Sequence, residues 1–106
     1  MEITFKTQIL ADLYEGKKVK DKRFKLQPQI IKQYIKTLNK LRSLEKIEQA
    51  FQYNTIRYEK LSGNLKGKSS VSVNMQYRII FQEIASETAP FEIILLDIEE
   101  LSNHYS

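Results

Sequence analysis

A chain of 106 residues, 42% hydrophobic and 28% charged, has the length of one domain, expected to span 1–106, and a composition that argues against intrinsic disorder. The absence of cysteine excludes disulfides, thiolate chemistry and cysteine-ligated zinc, and one histidine, His104, cannot build a histidine-rich metal cluster. A net charge of +4 and a pI of about 9.3 suit an acidic partner such as nucleic acid, but they equally suit a solvated basic surface.

The longest apolar run, Ile93–Leu96, is far too short to cross a bilayer, and the opening Met1-Glu2-Ile3-Thr4 lacks the charged and apolar regions of a secretory signal. A cytoplasmic chain with no membrane partner is expected.

Ile3–Lys6 reads as a short strand. Thr7 is placed to cap a helix that carries Ile9, Leu10, Leu13 and Tyr14 at helical spacing, with Gly16 as its stop. Lys17–Lys25 is a basic connector without a period, containing Lys17, Lys18, Lys20, Lys22, Arg23 and Lys25. It is read as an exposed loop, solvated or in contact with RNA. Pro28 suits the first turn of a second helix. There Ile30, Ile31, Tyr34, Ile35, Leu38 and Leu41 form an apolar stripe, and Lys32, Lys36 and Lys40 line the opposite face. Ser43 ends that helix and is expected to cap another carrying Leu44, Ile47 and Phe51, which makes a helical hairpin over 28–52.

After Tyr53 the period changes. Gly63 and Gly67 bracket a turn-rich loop, Ser70–Val73 alternates as a strand, Asn74-Met75 turns the chain, and Tyr77–Phe81 forms a second strand. Phe91–Ile98 is a third strand, apolar on both faces and so central, and the tail after it reads as a short extension or a helical turn that can fold back toward the face carrying Arg78. The order predicts an α+β fold with the helices packed on one face of a twisted antiparallel sheet.

No phosphate-binding glycine loop, zinc motif or serine elbow is present, and neither a metal nor a cofactor is expected. A metal-free nuclease would need a base for the ribose 2′-OH, an acid for the leaving oxygen and a cation on the phosphate. Arg78, Lys66, Lys68 and His104 have suitable chemistry, Glu59 can transfer protons, and tyrosines can also transfer protons or stack on bases. Alternation sets Arg78 on the face opposite Tyr77, Ile79 and Phe81, either in a surface salt bridge or on a phosphate.

Two stretches, Tyr58-Glu59-Lys60-Leu61-Ser62-Gly63-Asn64-Leu65-Lys66-Gly67 and Ser70-Val71-Ser72-Val73-Asn74-Met75-Gln76-Tyr77-Arg78-Ile79-Ile80-Phe81, resemble the signature of the HigB family, within the RelE/ParE toxin superfamily. The ending Asp97–Tyr105 resembles that family's terminal cluster of acidic or amide, tyrosine and histidine residues. The resemblance implies a RelE-like, microbial-ribonuclease-like fold and a plasmid-maintenance toxin that acts as a ribosome-dependent endoribonuclease on translated mRNA. It implies a HigA-type helix-turn-helix antitoxin as partner, with operator DNA reached only through that antitoxin. By the same resemblance Arg78, His104, Tyr105 and Glu59 form the catalytic set, with Lys66, Lys68 and Tyr77 contacting RNA. Glu59 stands where some members carry a histidine, and Ser70 and Ser72 occupy the strand that bears lysines in RelE. The alternatives are a ParE-like toxin that inhibits DNA gyrase without catalysis, and a degenerate module that only binds antitoxin.

Overall fold

The structure, a computed structural model, describes residues 1–20 and 27–103. The strand β1 (Glu2–Phe5) leads into α1 (Gln8–Tyr14), where the Thr7 hydroxyl accepts the Leu10 N–H as the sequence predicts. Gly16 follows the helix with a φ of 76°, a left-handed conformation that favours glycine. Residues 17–20 of the basic connector have no regular structure, and Lys22, Arg23 and Lys25 lie outside the described residues. The helix α2 (Pro28–Arg42) begins on its proline and ends at Ser43.

The expected third helix takes a different form. Ile47–Gln52 is a 3-10 segment whose cap is Lys46, so Ser43 does not start it, and α2 pairs with α1 instead. The tighter period turns i and i+3 to the same side. Ile47 and Ala50 are therefore buried, whereas Phe51 is 63% exposed and rests edge-on against Tyr58.

The strands β2 (Glu59–Lys60), β3 (Ser69–Ser72), β4 (Tyr77–Ala85) and β5 (Ile93–Asn103) complete a sheet of order β1-β5-β4-β3-β2. The meander β2 to β5 is antiparallel, as expected. The sheet as a whole is mixed, because β1 docks parallel to β5. A parallel partner requires a long crossover, and the whole helical section followed by three strands lies between the two. The strand β5 runs past Ile98 to Asn103, so the described tail is the extension and not the helical turn, and it reaches Arg78 along the β4 ladder without folding back.

Two register shifts in the β4–β5 ladder leave Ile94 and Glu99 as extra residues on β5. The first shift accounts for the 54% exposure of Ile94 on a strand expected to be buried on both faces.

The core lies between the helices and one face of the sheet. Leu10 and Leu13 of α1 and Tyr34, Leu38 and Leu41 of α2 pack in one cluster with Val71, Ile79, Phe81, Leu96 and Ile98. The Tyr34 hydroxyl donates to the Leu10 carbonyl at 2.8 Å, which satisfies the one polar atom that this ring carries into the core. Burial pushes the Tyr34 phenol well above the usual tyrosine range.

Candidate functional site

The residues alternating with that core form the other face. Ser72, Arg78 and Ser102 stand in one cross-strand row, and Ser70, Ile80 and Glu100 in the next, with Glu59 opposite Ser70. Glu59, Ser70, Ser72 and Arg78 line a cleft of about 580 Å³, closed on another side by Asn54, Thr55 and Arg57. Arg57 holds a left-handed φ of 44°, an uncommon conformation for a residue with a side chain.

Arg78 is the central cation. Its side chain is only 23% exposed, and Nη1 lies 4.0 Å from the Glu59 carboxylate, which is itself 60% exposed. Its Nε is buried without a hydrogen-bond partner among the described residues. A guanidinium that is desolvated yet incompletely paired favours a ligand bringing anionic oxygens, and its planar fork suits a phosphate.

The β3–β4 turn is fixed by Asn74. Its Oδ1 accepts the N–H groups of Gln76 and Tyr77, both at 2.8 Å, and its Nδ2 donates to Gln33 of α2 at 2.9 Å. Tyr77 borders the cleft while packing against the edge of the core, and the exposed Met75 stands at the rim.

The structure thus brings Arg78, Glu59 and Tyr77 together. Lys66 and Lys68 do not line the cleft. Lys66 is exposed in the loop between Gly63 and Gly67, and the Lys68 ammonium is paired with Glu99, the extra residue that the β-bulge supplies. His104 and Tyr105 lie outside the described residues. Ser102 pairs with Arg78 and Asn103 with Tyr77, so the described end of β5 reaches this site along the ladder.

Asn54, Thr55 and Arg57 escaped the sequence reading because they belong to no periodic element. The signal available for Arg57 was its place directly before the Tyr58-Glu59 motif. Among the described residues no cluster of acidic, histidine or cysteine side chains is arranged to hold a metal ion, and no helix is long and apolar enough to cross a membrane.

The fold is that of the RelE-type toxins. It is similar to the YoeB/ParE toxin from Agrobacterium tumefaciens, with a TM-score of 0.52 and 18% identity over 99% of this chain and 100% of that one. It is similar also to a mutant of YafQ from E. coli, with a TM-score of 0.51 and 17% identity over 98% and 93% of the two chains. The family described as the RelE-like toxin of type II toxin-antitoxin system HigB matches residues 3–91. Toxin HigB-1 of Vibrio cholerae serotype O1 is 38% identical over 88 residues, which cover 77% of this chain and 83% of that protein. The chain belongs to the HigB family of toxins of type II toxin–antitoxin systems, whose partner is an antitoxin. Glu59, Tyr77 and Arg78 fall inside the matched span, and His104 and Tyr105 fall after it.

Proposed function

We propose that this toxin is a metal-independent endoribonuclease that cuts messenger RNA while it is being translated on the ribosome. The observation that carries the reading is Arg78, an incompletely paired guanidinium lining an open cleft beside Glu59, Ser70 and Ser72, where a phosphodiester can reach it. Family membership supports it.

In this mechanism the ribose 2′-oxygen attacks the adjacent phosphorus, and the bond from phosphorus to the 5′-oxygen breaks. The 2′-OH proton passes to a general base, for which Glu59 and His104 have the chemistry. The departing 5′-oxygen takes a proton from a general acid, a role for His104 or Tyr105. Arg78 neutralises the charge that builds on the phosphoryl oxygens between these events. Lys66, Lys68 and Tyr77 remain proposed RNA contacts, with Lys68 requiring release from Glu99. The ribosome supplies orientation of the scissile phosphate, which converts a slow encounter into a positioned reaction.

The proposed surroundings are cytoplasmic, with a HigA-type helix-turn-helix antitoxin that covers the Arg78 face and carries the pair to operator DNA. Single-turnover cleavage on programmed ribosomes tests the activity. Arg78→Ala is expected to lose roughly a hundredfold or more in rate, and His104→Gln a similar factor. Free RNA is expected to be cut poorly. Intact messages together with inhibited gyrase in induced cells would replace this reading with the non-catalytic one.

A further inference from the structure

The lysine row on α2 borders a second groove. This groove, about 310 Å³, is lined by Lys36, Lys40, Gln33 and Thr37 on the helix side, and it shares Thr55 and Ser72 with the Arg78 cleft. Among the described residues, no acidic side chain lines it. Neither lysine forms an ion pair among the described residues. Lys40 Nζ instead sits 5.0 Å from the centroid of the Tyr53 ring, a contact that positions the ammonium and leaves its charge uncompensated.

Lys36 and Lys40 are one helical turn apart, about 6 Å along the axis. That spacing suits successive phosphates of an extended strand. The Asn74–Gln33 hydrogen bond ties α2 to the β3–β4 turn, so the two depressions keep a fixed relation to each other.

We propose that an RNA strand seated on Arg78 continues across Thr55 and Ser72 into this groove, where Lys36 and Lys40 bind its flanking phosphates. The inference rests on the RNA reading of the Arg78 cleft and adds a subsite for the same single strand. Such contacts carry no base information, and their contribution is electrostatic and salt-dependent. The toxin would therefore hold a longer message segment than the scissile dinucleotide.

The test uses fluorescence anisotropy with 2′-O-methyl RNA, which has no nucleophile and cannot be cleaved. A dinucleotide and a hexanucleotide are titrated against the wild-type chain, the Lys36→Gln/Lys40→Gln double variant and Arg78→Ala over a range of salt. Lys36 is exposed and Lys40 half-buried on α2, and circular dichroism checks that the double variant folds. The double variant is expected to lose roughly tenfold in hexanucleotide affinity, with the salt slope falling by about 0.7 for each lysine. Its dinucleotide affinity is expected to stay at the wild-type value, whereas Arg78→Ala weakens both oligonucleotides. An unchanged hexanucleotide affinity and slope in the double variant, with Arg78→Ala still impaired, overturns the extended track and leaves the cleft reading standing. No effect of Arg78→Ala on either oligonucleotide overturns the cleft reading and the track with it. Loss of antitoxin or ribosome binding in the double variant, without loss of hexanucleotide binding, assigns the groove to another partner and overturns the inference.

Discussion

Ile79 and Arg78 are neighbours on β4, yet their side chains serve opposite faces of one sheet. Ile79 is fully buried with Val71 and Phe81 beneath α1 and α2, whereas Arg78 lines an open cleft with Ser72 and Glu59. The covered face is apolar and closely packed, and burial of this kind supplies most of the stability of a small domain. The open face holds hydroxyls, amides, a carboxylate and guanidinium groups, of which Arg78 and Glu59 are weakly paired and remain available to a ligand. Alternation along a strand lets a short chain separate the two roles by a single residue.

The largest effect should come from the covered face. Phe81→Ala removes a fully buried ring and is expected to cost about 3–5 kcal/mol in urea unfolding, with activity lost through unfolding. Arg78→Ala should do the reverse: roughly a hundredfold lower cleavage, or about 2.7 kcal/mol in the barrier, with the unfolding midpoint nearly unchanged. Arg78→Lys should restore charge without the planar fork and recover only part of the rate. A large loss of stability in Arg78→Ala would break the separation of the two faces.

Tyr34 sharpens the comparison from the covered side. Tyr34→Phe removes the bond to the Leu10 carbonyl and is expected to cost about 1 kcal/mol at neutral pH. Burial raises the Tyr34 phenol, and burial followed by its bond to Glu83 raises the Tyr58 phenol. Both pKa values lie above the unfolded value of about 10, so their stabilisation is complete below that pH and is lost as pH rises through the raised values. Alkaline unfolding followed by tyrosine absorbance should show this, and Tyr34→Phe should reduce the slope.

The smallest change in stability belongs to Glu59→Gln, because an exposed carboxylate 4.0 Å from Arg78 makes a weak pair. Its unfolding free energy should move by less than about 0.5 kcal/mol. If Glu59 is the base, the cleavage pH profile should lose its acidic limb in this variant, and an unchanged profile would assign the proton to His104.

Local chemistry made a large part of this molecule legible in advance. Thr7 and Pro28 marked the helix starts, Gly16 and Ser43 marked the ends, and the period-2 pattern around Arg78 set that residue on the face away from the core. The motif around Tyr58–Gly67 and Ser70–Phe81 pointed to the family, which the comparisons bear out. These features depend on neighbours within a few positions, where a cap, a φ preference or a period decides the outcome.

Contacts distant in sequence were decided only by the tertiary structure. The parallel seat of β1 on β5, the 3-10 path that buries Ala50 in place of Phe51, and the bulge that gives Lys68 its partner Glu99 all depend on which surfaces meet after collapse. The cleft has the same origin, since Asn54, Thr55 and Arg57 carry no pattern of their own and become a wall only when the chain brings them opposite β3 and β4. A sequence period specifies which side of an element faces inward. The identity of the opposing element follows from packing the whole chain, and that packing placed Arg78 in the lining of a cleft.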